Sequence, residues 1–151
     1  MTEESTHRYF DDLTVGEAFD LGSETVTEAE ITAFAERYDP QPIHTDPAAA
    51  AESTFGQLVA SGWHTAAISM RRFVEGVVDN AGIAVVAGVE VENLRWRRPV
   101  TPGDVLTARA EITGLEEWDE KRGIVRFELV VRSDEGEPVL QLTKRVLVGR
   151  K

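Results

Sequence analysis

Three observations predict an α+β fold in which an antiparallel sheet wraps around one long helix. Only one segment, Trp63 to Val78, carries an apolar helical stripe long enough to serve as a central element. Strand-like segments then follow in succession, at roughly residues 84–97, 104–114, 122–133 and 138–148. The links between them are short, which implies antiparallel neighbours, and the apolar face of such a sheet must be covered by the helix. At 151 residues, with no repeat, low-complexity run or Ser/Pro-rich linker, the chain has room for one core. A single domain over residues 8–151 is expected, with a flexible start at about residues 1–7.

Taken in order, Thr27-Glu28-Ala29-Glu30 reads as a capping box, because hydroxyl and carboxylate can each satisfy an orphan N–H at a helix start. Ile31, Phe34, Ala35 and Tyr38 follow at helical spacing and bring Asp39 to the end of that helix. Asp46-Pro47 repeats the start signal, and Ala48 to Ala51 favour a short second helix. Ser61 is the expected N-cap of the long helix. Its apolar residues Trp63, Ala66, Ala67, Met70, Phe73, Val74, Val77 and Val78 predict a largely buried element about 24 Å long, ending near Asp79-Asn80-Ala81-Gly82. In the third strand Val125, Phe127, Leu129 and Val131 alternate with Arg126, Glu128, Val130 and Arg132, so one face is dry and the other mostly wet. Unpaired edge strands invite a second copy, and a homodimer is expected.

Composition excludes several classes of function. The formal charge of −11 disfavours a nucleic-acid backbone or an anionic membrane as partner. No window approaches 18 apolar residues, and Met1-Thr2-Glu3-Glu4 lacks the regions of a signal peptide, so a cytoplasmic location is expected. With no cysteine, and His7, His44 and His64 dispersed, neither a thiolate nucleophile nor a metal site is expected. Lys121, Lys144 and Lys151 are the only lysines, an acid-rich and lysine-poor pattern that suits a salt-crowded, halophilic cytoplasm. An ordinary acidic protein from an arginine-favouring genome would show it too.

Tyr38-Asp39-Pro40-Gln41-Pro42-Ile43-His44 carries the strongest chemical signal. Each proline fixes its own φ and biases the residue before it toward an extended backbone, so Asp39 and Gln41 are held with little freedom. A carboxylate and an imidazole converging there can deprotonate a water and return a proton to carbon near neutral pH. A turn that merely contains both residues is the bland alternative.

This stretch, with Phe55-Gly56, Ala60-Ser61-Gly62-Trp63-His64 and Arg97-Arg98-Pro99-Val100-Thr101-Pro102-Gly103-Asp104, resembles the MaoC-like dehydratases of the hot-dog fold. The likeness runs from about residue 9 to 148, with Tyr9 to Leu13 and Val15-Gly16-Glu17 similar to the family's opening strand and turn. The family includes (R)-specific enoyl-CoA hydratases, whose motif is G-D-x-N-P-x-H. The resemblance implies a catalytic pair at Asp39 and His44, an oxyanion-stabilising N–H at Gly62, and a coenzyme A thioester as substrate with no bound cofactor. Tyr38 stands where the motif has glycine and Gln41 where it has asparagine. Gln41 keeps the amide one methylene further out, and Tyr38 would narrow the pocket or offer its hydroxyl.

Around this centre, Ser61, Trp63 and His64 are further candidates for substrate contact. His64 more often would be a partly exposed helix residue, and Trp63 and Phe55 would more often be core than walls of an acyl tunnel. Arg95, Arg97 and Arg98 suit the phosphates of coenzyme A, and equally a solvated strand end. Asp104 is expected to cap a turn and Trp118 to sit on a solvated hairpin end. Besides a hydratase or dehydratase, a hot-dog thioesterase and a non-catalytic acyl-thioester binder are the open readings. The Asp/His pair argues against the thioesterase.

Overall fold

The computed structural model describes residues 7–151; the rest of the expected flexible start, residues 1–6, lies outside the described residues. Five strands form one antiparallel sheet: β1 (Ala18–Thr25), β2 (Val85–Trp96), β3 (Val105–Glu117), β4 (Arg122–Ser133) and β5 (Pro138–Gly149), in the order β1-β3-β4-β5-β2. The helices are α1 (Glu28–Tyr38), α2 (Pro42–Thr45), α3 (Pro47–Ala51) and α4 (Gly62–Phe73), the last continued by a wider π turn over Val74–Asn80. The four later strands match the expected segments within a few residues.

Local chemistry sets the helix starts at the predicted caps, although at Thr27 the Glu30 carboxylate takes the hydroxyl rather than the amide of the expected capping box. Thr27 accepts from the Glu30 amide and donates to its carboxylate. Asp46 accepts from the amides of Ala48 and Ala49, and Ser61 Oγ accepts from the Trp63 amide at 3.2 Å. Asp104 accepts from the amide and hydroxyl of Thr101, closing the turn before β3.

Several expectations are corrected. Tyr9 to Leu13 is not the opening strand: Phe10–Asp12 forms a 3₁₀ turn, closed by the Asp12 carboxylate on the Tyr9 amide at 2.9 Å. The opening strand lies later, at Ala18–Thr25, and pairs with β3. Phe10 instead packs on Gly123, where a β-carbon would lie 2.3 Å from the ring. Although β2 and β3 are consecutive they are not neighbours; residues 97–104 carry the chain across, leaving β1 and β2 as the edges.

The buried face of α4 also differs from the expected one. His64, Thr65, Ile68, Ser69 and Phe73 are buried, His64 against Phe34 of α1, while Trp63 and Met70 are exposed. Small hydroxyl residues allow close approach of helix and sheet, and burying them costs little because Ser69 Oγ donates to its own helix at Ala66 O, 2.6 Å away. Phe73 meets Phe127 edge to face with centroids 5.0 Å apart, and Phe19 approaches Phe127 at 6.2 Å. Phe127 is 0% exposed, at the middle of the core.

Candidate active site

Asp39 is the C-cap of α1, its amide still bonded to Ala35 O at 2.8 Å, after which Pro40 and Pro42 turn the chain sharply. Gln41 is extended, with φ −90° and ψ 141°, and starts α2, a single helical turn that carries His44 inward. The link expected between two helices is thus itself helical. Residues 58–60 run behind it: Val59 N donates to Ile43 O at 3.1 Å and Ala60 N to Val100 O at 2.8 Å. That path leads directly to Ser61 and the start of α4.

These elements set His44 Nε2 3.4 Å from Asp39 Oδ2. The other ring nitrogen, Nδ1, lies 2.6 Å from Val59 O. A carbonyl only accepts, so Nδ1 carries a proton and donates to it, and Nε2 is the nitrogen turned toward the carboxylate. Asp39 is held from two further sides, by Gln41 Nε2 on Oδ1 and Ser61 Oγ on Oδ2, both at 2.7 Å. Hydrogen bonds from Gln41 and then Ser61 hold its carboxyl below the usual range, with the nearby His44 adding to the effect and burial opposing it. Asp39 is therefore ionised throughout the neutral range.

Asp39 and His44 line a cavity of about 420 Å³ together with Gly62, Trp63, Arg97 and Arg98. Gly62 is the first residue of α4, so its N–H has no acceptor within the helix and the positive end of the helix dipole lies beside it. The arrangement sets a carboxylate and an imidazole beside the start of a helix on one cavity. Arg97 bonds Gln141 at 2.8 Å and Arg98 pairs with Glu137 at 2.9 Å, with both residues also on the cavity wall.

Of the predicted candidates, Ser61 and Gln41 donate hydrogen bonds to Asp39, and Trp63 and Phe55 line the cavity rather than the core. Tyr38 and His64 are not brought into it. Tyr38 is 66% exposed on the last turn of α1, its ring tilted by 49° against Phe34. His64 is not the partly exposed residue expected: it is 6% exposed and stacked on Phe34, with ring centroids 4.9 Å apart and planes inclined by 12°. Trp96 and Thr65 also line the cavity, and sequence reasoning missed both. The alternation that separates Trp96 from Arg95 and Arg97 was the available signal. Among the described residues no group of three or more His, Asp or Glu is placed to hold a metal ion, and no helix is long and apolar enough to cross a membrane.

Burial holds the His64 imidazole below its ordinary pKa, and its Nδ1 is sealed without a hydrogen-bond partner. The folded state therefore favours the neutral ring, and stability present above the unfolded value near 6.5 is lost as pH falls. His64→Phe keeps the stack and removes the titration. The variant's advantage in melting temperature is expected to be about 2–4 °C larger at pH 5 than at pH 8, the size of a difference of about 1 kcal/mol in a domain of this length. An equal difference at both pH values would refute it.

The chain belongs to the MaoC-like family, whose profile, described as "MaoC like domain", matches residues 12–132. The fold is the hot-dog fold. A MaoC-like dehydratase from Rhodospirillum rubrum has a similar crystal structure, with TM-score 0.83 and 36% identity, covering 95% of this chain and 98% of that one. The uncharacterized protein YdeM of Bacillus subtilis is 29% identical over 140 residues, 93% of this chain and 98% of that protein. A 3-hydroxyacyl-thioester dehydratase Z of Mycobacterium tuberculosis is 30% identical over 94 residues, 62% of each chain. Membership of a family of dehydratases and hydratases supports hydro-lyase chemistry at that level of description.

Proposed function

We propose that the protein is an acyl-thioester hydratase or dehydratase that adds water syn across a trans-2-enoyl thioester, or removes it, with Asp39 as base, His44 as its partner and Gly62 as oxyanion donor. The approach of Asp39 Oδ2 and His44 Nε2, at 3.4 Å in a cavity open to substrate, carries this reading. Two acceptors so placed hold one water by both its hydrogens and turn its oxygen outward. As that oxygen attacks Cβ, the water's proton passes to the pair and a proton from the pair reaches Cα on the same face. The pair ends as it began. The thioester oxygen gathers enolate charge meanwhile, and the Gly62 N–H stabilises it where the helix dipole adds to its effect. The name of the mycobacterial relative supports the substrate class.

Arg97 and Arg98 at the cavity wall are read as contacts for the phosphates of coenzyme A, with no cofactor required. The same reading makes the protein cytoplasmic, halophilic by its acid excess, and a homodimer. The dimer is supported by the edge strand β2, on which Val86, Val89 and Val91 are exposed, and by the exposed Trp63 and Met70 of α4.

The test is loss of enoyl-thioester absorbance with crotonyl-CoA and a longer-chain homologue, in low and molar KCl, on protein whose solution mass is measured alongside. Turnover by a dimer, stronger in molar KCl, is expected. Folded protein inert toward both thioesters would sink the hydratase reading, and release of free thiol would replace it with the thioesterase. A monomeric mass would remove the dimer, and activity indifferent to salt the halophilic assignment.

A further inference from the structure

Trp96, the last residue of β2, reaches over the start of α4. Its indole Nε1–H donates to Gly62 O at 2.7 Å. Its ring lies so close to Gly62 that an added β-carbon would sit 2.6 Å from two ring atoms. Only glycine admits that approach, and glycine in turn is the residue with most backbone freedom to lose. Trp96 is 45% exposed, so burial alone gives the indole little reason to hold one position. It is nonetheless fixed twice, by the bond to Gly62 and by an edge-to-face contact with Trp63 at 5.1 Å and 83°.

The other side of the same turn is tied to the base. Ser61 Oγ donates to Asp39 Oδ2 while accepting from the Trp63 amide. Residues 61–63 are therefore gripped between Asp39 on one side and the indole on the other. Gly62, the first residue of α4 and part of the cavity wall, lies inside that grip.

We infer that Trp96 is the positioning residue of the oxyanion donor: it clamps Gly62 so that the Gly62 N–H is preorganised toward the thioester oxygen. This rests on the hydratase reading for its catalytic consequence, but the clamp itself does not. Preorganised donors act on the transition state more than on bound substrate, so loosening one lowers kcat and leaves KM nearly unchanged.

The experiment combines kinetics, a double-mutant cycle and amide relaxation. Trp96→Phe, which keeps a ring and loses the donor, is expected to lower kcat for crotonyl-CoA about tenfold with KM changed less than about twofold. Gly62→Ala is expected to lower kcat about a hundredfold beside the native indole but less than about fivefold in a Trp96→Ala background, because the clash is gone. In labelled protein, the order parameter of the Gly62 N–H is expected to fall from about 0.85 in wild type to below about 0.6 in Trp96→Phe. A raised KM at constant kcat would make Trp96 a wall and overturn the inference, as would equal costs of Gly62→Ala in both backgrounds. If wild type turns over no thioester but the Gly62 amide still responds to Trp96→Phe, the hydratase reading fails and the clamp stands. An unchanged Gly62 amide would overturn the clamp, whatever the activity.

Discussion

Asp39→Asn is expected to lower kcat by about a thousandfold or more while leaving the protein folded. The size follows from what is removed: general acid–base catalysis by one positioned group contributes about 10²–10⁴-fold, and the amide cannot accept the water's proton at all. Shape is kept, and one of the two bonds from Gln41 and Ser61 survives on the remaining carbonyl oxygen. The other is lost, because an amide nitrogen cannot accept, and a cost of about 1–3 kcal/mol follows from the unpaired donor. Since those bonds hold the native carboxyl below its ordinary pKa, this stabilisation is present above the unfolded value near 3.9 and disappears only as pH falls through the lower folded value. The difference in stability between wild type and variant should therefore be constant from pH 6 to 8 and shrink in strong acid. Stopped or continuous assays on enoyl thioester, beside thermal melts at several pH values, read both quantities. A folded variant retaining a tenth of native kcat would remove Asp39 from the role of base.

How much of this was legible in the sequence depends on the range of the interaction concerned. Helix starts were legible because the cap and its donor lie within three residues, as at Thr27 with Glu30 and Ser61 with Trp63. Strands were legible because burial repeats every second residue, as from Val125 to Val131. The convergence of Asp39 and His44 was suggested by the prolines between them. What failed was long-range. Hydrophobicity assigned Trp63 and Met70 to the core, but the sheet packs against a neighbouring face where Thr65 and Ser69 are small enough to fit. His64 was read as partly exposed because nothing in its neighbourhood shows Phe34, thirty positions earlier, lying flat against its ring. Trp96 was passed over because its partner, Gly62, belongs to another element and contributes only a backbone oxygen. Residues 9–13 were likened to the family's opening strand, where the Asp12 carboxylate instead caps the Tyr9 amide, a local competitor that the resemblance does not reveal.

Phe127→Ala is expected to destabilise the protein by about 3–5 kcal/mol, the range for a fully buried phenylalanine whose cavity cannot collapse. Collapse is hindered on every side here. β4 is the central strand of the sheet, hydrogen-bonded to both β3 and β5, so its backbone cannot shift inward. Above it the Phe73 ring is held edge to face, and Phe19 closes the β1 side. Phe127→Leu retains much of the volume and is expected to cost less than half as much. Denaturant melts of the three proteins measure this through the midpoint at constant slope. The core contact and the site lie at opposite ends of α4: Phe73 follows Gly62 by about 16 Å of helix rise. Loss of the Phe127 ring should therefore lower the melting temperature by about 10 °C while kcat per folded molecule at low temperature stays within about threefold of wild type. A large fall in kcat in the folded variant would mean that the core contact at Phe73 governs the position of Gly62, and that the end of β2 does not hold the oxyanion donor by itself.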